Sequence, residues 1–519
     1  MTGYWRLLAV SLRTAPAQIL GWSVAVTVLV ASTASTLNGM YPDQAGRDAY
    51  AAAYVGTQSS AALQGRGYDL SSLGGILSNE MGYLALLMAP LIGLHLAIRF
   101  TRSVEDTGRL DILTAGPVHR LAPAAAGLTA AATSAVLTVL FTAVALIALD
   151  YPVAGSLRYA GGLGALMLTF TAVGALVAQC CRDARTAYVL GIACWMGSYL
   201  GRAVVDARGV NVVWANPESW LAEVRPFAAE PPLWPWLTFA ATTAVLLLGA
   251  ATVAARRDQG GGLIPPRPGP AVAASWITTP LRLLVRLTVG VGVGWVVAAS
   301  LFAFAFGYLT QQMSDLGAAA GAERDTGVNA TLTIFVQMNA LLAGAAATQL
   351  TQWLGAEENA GRVGYALAGP VSRRRWWASA TAVITAWSLI LLVCTSVGTG
   401  LGLAAGFGDV GYLGNGVTDT LAYGPAVVLL AVTALTLHSV SPRAVAVAWL
   451  AVGWGIIVCL RADLLDLPEW ARRLSPMEWM GAVPRDAWHR PAALGMTLLA
   501  VALALAATLV YQRRDLRAG

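Results

Sequence analysis

Two short polar stretches hold the charged side chains best spaced to do chemistry. They read "EDTGRLDILTAGPVHR" over residues 105–120 and "EENAGRVGYALAGPVSR" over 357–373. Aligned without a gap, Glu105, Gly108, Arg109, Ala115, Gly116, Pro117, Val118 and Arg120 fall on Glu358, Gly361, Arg362, Ala368, Gly369, Pro370, Val371 and Arg373, always 253 residues on. Each copy places acids a few residues before an arginine (Glu105, Asp106 and Arg109, then Glu357, Glu358 and Arg362). That chemistry is recognition through charge-assisted hydrogen bonds, and a repeat implies two equivalent places to use it.

Other chemistries are poorly provided for. All 33 basic residues are Arg. A Walker A loop needs a lysine on the phosphates, so this chain cannot contain one, and an ATPase driving it would be another polypeptide. Cys180, Cys181, Cys194, Cys394 and Cys459 lie in or beside apolar runs, at spacings that suit neither zinc nor a disulfide framework. The four histidines form no metal pattern. No cofactor, metal or nucleic acid is expected on this chain.

The elements that position the two stretches are membrane helices. Of 519 residues, 57% are hydrophobic and 12% charged, about half the charged fraction of a soluble domain. Runs such as "AAAGLTAAATSAVLTVLFTAVALIAL" lack the alternation of a barrel strand and are long enough to cross a bilayer as helix. Hydropathy predicts spans near 18–40, 80–100, 122–149, 159–181, 187–205 and 234–254, then 287–310, 331–352, 376–404, 420–438, 444–461 and 491–511. The expected organisation is a six-span half (1–258), a Gly/Pro linker (259–280) and a second six-span half (281–519). These would be parallel repeats in an all-α fold. The N-terminal stretch resembles a signal peptide, but its Arg13 and Gly21-Trp22 recur as Arg286 and Gly294-Trp295, so a structural span is expected there.

An even span count puts both termini on one side. With that side cytosolic, most of the arginines fall inside, as the positive-inside rule asks. The short loops 182–185 and 441–443 and both "RRD" runs (256–258 and 513–515) are then inside. So are the two polar stretches. Ser103-x-x-Asp106 resembles a capping box, Leu110 and Leu113 share a helical face, and Gly116-Pro117 or Gly369-Pro370 is a stop. The expectation is a short amphipathic helix over 103–116 and another over 356–369. The bland alternative is a solvated loop whose arginines only set topology.

A further repeat falls outside, "NPESW" (216–220) against "SPMEW" (475–479). Asn216 and Ser475 suit an N-cap, and Pro217 and Pro476 suit the first helical turn. Trp220 and Trp479 would then anchor short interfacial helices, either as plain surface structure or as an external gate.

The six-plus-six plan, the E-x-x-G-R…G-P-V segment, the "RRDQGGGLIPPRPGP" linker and the N-P-x-x-W-L motif resemble one family across nearly the whole chain. It is that of the fused ABC exporter permeases of actinobacteria, described as exporters of polyketide antibiotics or as tetronasin-resistance-like permeases. The resemblance implies a type-2 ABC exporter fold and efflux of bulky apolar drugs or natural products by alternating access. It implies two copies of a separate ATPase subunit holding ATP and Mg, and a bacterial plasma membrane with both termini cytosolic. The polar stretches would be the ATPase-coupling helices. The path would lie between the halves, with Tyr83, Met88, Trp195, Tyr199, Phe302, Phe306, Gln337, Met338 and Asn339 as candidate lining. Two departures are Ser475 for the motif's Asn and Gly364 at the position of Asp111.

The rival carrier is a proton-coupled multidrug transporter of the major facilitator type, whose D-x-x-G-R loop "EDTGR" faintly matches. Such carriers bury acids mid-span, and here Glu80, at an outer edge, is the one plausible intramembrane acid. A membrane enzyme would show clustered acids or a Ser/His/Asp set, and His95 has no identifiable partner in the sequence.

Overall fold

A computed structural model describes the chain apart from residues 1, 55–60, 62–63, 109, 111–115, 208–211, 259, 264–271, 273, 320–323, 462–466 and 516–519. The described residues are helical with no strands. Twelve helices are long and apolar enough to span a bilayer. The first six are Pro16–Met40, Gly82–Asp106, Ala122–Ala148, Val153–Cys180, Ala184–Asp206 and Trp234–Arg256. The other six are Pro280–Tyr308, Val328–Asn359, Arg373–Phe407, Gly411–Val440, Pro442–Leu460 and Arg490–Arg513. All twelve expected spans are present, and most overrun their hydropathy limits. The eighth carries the acids of the second polar stretch on its last turn.

The chain divides into two compact units, Met1–Gly269 and Pro270–Gly519. In the first, the second and fourth spans are central, 67% and 72% buried, whereas the sixth is 11% buried. Gly93 explains how the central pair meets: a Cβ there would stand 2.2 Å from the Met167 carbonyl oxygen. Close approach through small residues is how apolar helices associate where no hydrophobic force distinguishes neighbour from lipid. Gly402 does the same work in the second unit, against the Phe304 carbonyl at 2.2 Å. Prolines in the first turns of several spans, among them Pro16, Pro235 and Pro491, remove donors that would have no partner there.

Candidate functional site

The first polar stretch does not form one helix. Thr101 interrupts the second span, a five-residue helix covers Arg102–Asp106, and Gly108 then turns the chain with φ +68°. No side chain caps that helix, so the expected Ser103 capping box is absent; Ser103 lies inside the helix. In the second stretch the eighth span runs to Asn359, Gly361 turns the chain with φ +74°, and a separate helix covers Arg362–Leu367. The correction is the same in both copies. The acids end one helix and a glycine in the left-handed region follows them; in the second copy Arg362 then starts the next helix, while Arg109 lies outside the described residues.

The two segments close on their units in the same way. The Glu105 side chain is 7% exposed and accepts two hydrogen bonds from Arg257, at 2.8 and 2.7 Å. Glu358 is buried and paired with Arg514. Arg257 and Arg514 are the second arginines of the two "RRD" runs at the ends of the sixth and twelfth spans. The far ends of the segments return to the same place. Arg120 donates to the Arg257 carbonyl, and Arg373 to the Arg514 carbonyl at 2.8 Å. Each segment is thus a strap, held at its acidic start and its basic end by the arginine that closes a six-span set.

The surroundings of the two clasps differ. Beside Glu105 stands a second guanidinium, Arg102, 3.1 Å away and bonded through Nε to the Ala178 carbonyl at 2.8 Å. The Gly260 amide donates to Glu105 at 2.6 Å. Beside Glu358 stands His438, whose Nε2 lies 3.2 Å from the carboxylate, with Trp377 stacked on its ring. Asp106 accepts the Ala184 amide, at the start of the fifth span, at 2.6 Å. Glu105, Asp106 and Glu358 therefore bind within their own unit. Glu357 and Arg362 remain toward solvent, paired across the Gly361 turn at 2.6 and 2.7 Å. Val363, aligned with Leu110, is buried, while Tyr365 on the same short helix is 85% exposed. Leu110 is half-buried. Arg109 and Leu113 lie outside the described residues.

At the opposite end of the first unit Asn216 caps a helix over Pro217–Glu223, its side chain accepting the Glu218 amide at 2.9 Å. The matching second-unit stretch, with Pro476, forms only a 3₁₀ turn over Glu478–Met480. Trp220 is not an interfacial anchor. It is buried edge-on against Phe239. Trp479 is half-exposed, under Arg473. Both indoles nonetheless close the same loop, each donating to the carbonyl six residues back, Trp214 at 3.0 Å and Arg473 at 2.7 Å.

The candidate path residues are described within each unit. Gln337 donates to the Tyr423 hydroxyl at 3.2 Å and Asn339 to Thr399 at 2.9 Å, both as cross-helix bonds in the second unit. Phe302 and Phe306 pack together, with Phe306 also on Phe335. Met338 packs on an apolar core of the same unit. In the first unit Trp195 is buried and bonds the Leu86 carbonyl at 3.1 Å, and its ring leans on Tyr199. Tyr83 and Met88 are half-buried. His95 does have a partner, the Tyr188 hydroxyl at 3.2 Å.

A small cavity of about 40 Å³ lies in the first unit, and none of those candidates lines it. Its wall includes Asn79, Tyr159 and Glu218. Burial pushes the Glu218 carboxyl up to about 8, against the pull of Arg202. Sequence reasoning took Glu218 only as part of a capping motif. Its inward aim comes from being the second residue after the Asn216 cap, a signal present in the sequence but silent about what it faces.

Twelve apolar helices in two six-span units, each with a polar strap at one end, mark a multi-pass membrane protein. The family described as the multidrug efflux system permease Rv1217c, C-terminal domain, matches residues 277–512. The multidrug efflux system permease protein Rv1217c of Mycobacterium tuberculosis (strain ATCC 25618 / H37Rv) is 31% identical over 527 residues, 99% of this chain and 96% of that protein. The chain belongs to this family of ABC exporter permeases, in a bacterial membrane. The proton-coupled carrier reading is not favoured by these likenesses.

Proposed function

We propose that this chain is the membrane-spanning subunit of an ATP-driven exporter of bulky, apolar drugs or natural products of the polyketide kind. A separate ATPase, present in two copies and carrying ATP and Mg, drives it through alternating access. Both termini and both straps face the cytosol. The full-length likeness to a multidrug efflux permease carries this reading. The absence of any lysine supports placing ATP hydrolysis elsewhere, since no P-loop can be built without one.

Each strap is where one ATPase copy docks. Glu105 and Glu358 hold the strap rather than the partner. Arg109 and Arg362, with Glu357 at the turn, are the rim charges that set register. On the second strap Tyr365 is the aromatic anchor such an interface needs. The test is substrate-stimulated ATP hydrolysis by the chain reconstituted with its ATPase. Arg109→Glu with Arg362→Glu is expected to lose stimulation or co-purification while inserting normally. Parent-like transport by that double variant would leave the straps with a topogenic role only.

A further inference from the structure

We propose that the helix Tyr4–Thr14, ahead of the first span, is a binding surface for anionic lipid headgroups. Its two faces differ. Leu8 is buried in the core of the first unit, with Leu7 and Leu12 packed beside it, and the Tyr4 hydroxyl meets Thr129 of the third span at 2.9 Å. At about 100° per residue, the opposite face carries Arg6 and Arg13, with Trp5 and Val10 on its flanks. Both arginines are exposed. Trp5 is 76% exposed and Val10 47%.

The helix crosses the end of the third span rather than prolonging the first. Tyr4 meets the third span at Thr129, and the Ser134 hydroxyl of that span donates to the Ile19 carbonyl at 3.1 Å. From Tyr4 to Ile19 is fifteen residues, whereas from Thr129 to Ser134 is five. A straight helix would cover about 22 Å over the first interval and about 7.5 Å over the second, a difference wider than a tyrosine side chain bridges. The break falls at Ala15, which leaves helical geometry (φ −136°, ψ 40°) just ahead of Pro16. A helix across a span's end sits at headgroup depth, where tryptophan and arginine are favoured.

The charge on the exposed face has no counterion in its surroundings. Neither Arg6 nor Arg13 has a hydrogen bond or ion pair among the described residues. The first acid in the sequence is Asp43, and the third span has none between Pro117 and Leu149. Glu105 and Asp106, on the adjoining strap, are already engaged. Two unpaired guanidiniums flanked by an exposed indole and a valine select a partner that is anionic at one end and apolar at the other, as a phospholipid is. Exposed apolar residues continue into the first span as Leu20, Val24 and Val28, so one lipid layer serves both. The second unit lacks this surface. With Arg13 on Arg286, Trp5 and Arg6 fall on Thr278 and Thr279, and one unbroken helix, Pro280–Ala319, takes the place of the break.

The helix also touches the first strap. The Thr2 carbonyl accepts the His119 amide at 3.1 Å. Gly3, at φ +84°, stands so close that a Cβ would lie 3.1 Å from both Val118 methyl carbons. A headgroup that holds the helix therefore holds the basic end of that strap. That these headgroups belong to the cytosolic leaflet rests on the exporter reading; the lipid site itself does not.

The test puts the photocrosslinker p-benzoylphenylalanine in place of Val10 in the full chain, in nanodiscs of equal parts phosphatidylglycerol and phosphatidylcholine, and identifies the adducts by mass spectrometry. Phosphatidylglycerol adducts are expected to exceed phosphatidylcholine adducts roughly fivefold, by a ratio that falls as salt rises. Arg6→Gln with Arg13→Gln should bring the ratio close to parity, and Arg6→Lys with Arg13→Lys should keep it. Equal adducts in the parent, an unchanged ratio in the Gln pair, or its loss in the Lys pair would each overturn the proposal. Abolition of the ratio by inorganic phosphate at matched ionic strength would also overturn it, in favour of a free-phosphate site. So would an adduct chiefly with polypeptide in native membranes, in favour of a protein-docking face. If the Gln pair does not insert, the salt series on the parent decides, and a ratio indifferent to salt overturns the proposal.

Discussion

The straps of the two units share one frame and differ in the group placed beside it. In both, a glutamate grips the arginine that ends a six-span set, and a later arginine grips that residue's carbonyl. Around Glu105 the extra partner is a permanent cation, Arg102. Around Glu358 it is an imidazole, His438. A frame kept in both copies would suit two identical docking partners, as proposed above. The part that varies adjusts how firmly each strap is held.

Removing the glutamates should give the largest effect. Glu105→Ala leaves two guanidiniums, Arg102 and Arg257, facing each other, whereas Glu358→Ala leaves a single guanidinium, Arg514, beside the His438 ring. Breaking a buried pair costs about 3–5 kcal/mol, and the first unit is expected at the upper end. Thermal unfolding in detergent measures both. Equal losses would show that the extra partner does not matter. The exchanged pairs sharpen the point: Glu358→Arg with Arg514→Glu should recover much of its stability, while Glu105→Arg with Arg257→Glu should recover less, since Arg102 then faces a second arginine.

A smaller effect is expected at the basic ends. Arg120→Gln and Arg373→Gln each remove a charged donor from a carbonyl, worth about 1.5–3 kcal/mol. Here the two units should respond alike, because the acceptor is equivalent. Limited proteolysis at the strap reads this directly, with earlier cleavage expected in both variants. A response in one unit only would break the equivalence of the frame.

Local signals carried the spans, the duplicated stretch and the Asn216-Pro217 helix start. Twenty apolar residues, or an N-cap ahead of a proline, are decided by neighbours in sequence. The clasp was not legible. Glu105 and Arg257 stand 152 residues apart and Glu358 and Arg514 stand 156 apart, and the two "RRD" runs read equally well as topogenic charge. The Gly108 and Gly361 breaks were hidden for a different reason. Glycine permits the left-handed turn without requiring it, so the stretch could be read as one helix. Trp220 looked interfacial because a tryptophan near a span end usually is, and only packing against Phe239 turns it inward.

The smallest stability effect belongs to the one acid that the second strap keeps for its surface. Glu357 pairs with Arg362 across the Gly361 turn, with Arg362 more than half exposed. An exposed pair is worth about 0–1 kcal/mol, so Glu357→Gln should leave the unfolding temperature nearly unchanged. The first strap has Val104 at the aligned position and no equivalent pair to lose. If the pair serves only the fold, nothing else should move. If it orients Arg362 for a partner, Glu357→Gln should weaken co-purification of the ATPase and reduce substrate-stimulated hydrolysis several-fold, in a salt-dependent way, because a rim charge acts through solvent. Val104→Glu tests the converse by giving the first strap the pair it lacks. A gain in ATPase retention there, matched to the loss from Glu357→Gln, would assign the difference between the straps to docking. No change in either variant would confine it to the protein's own surface.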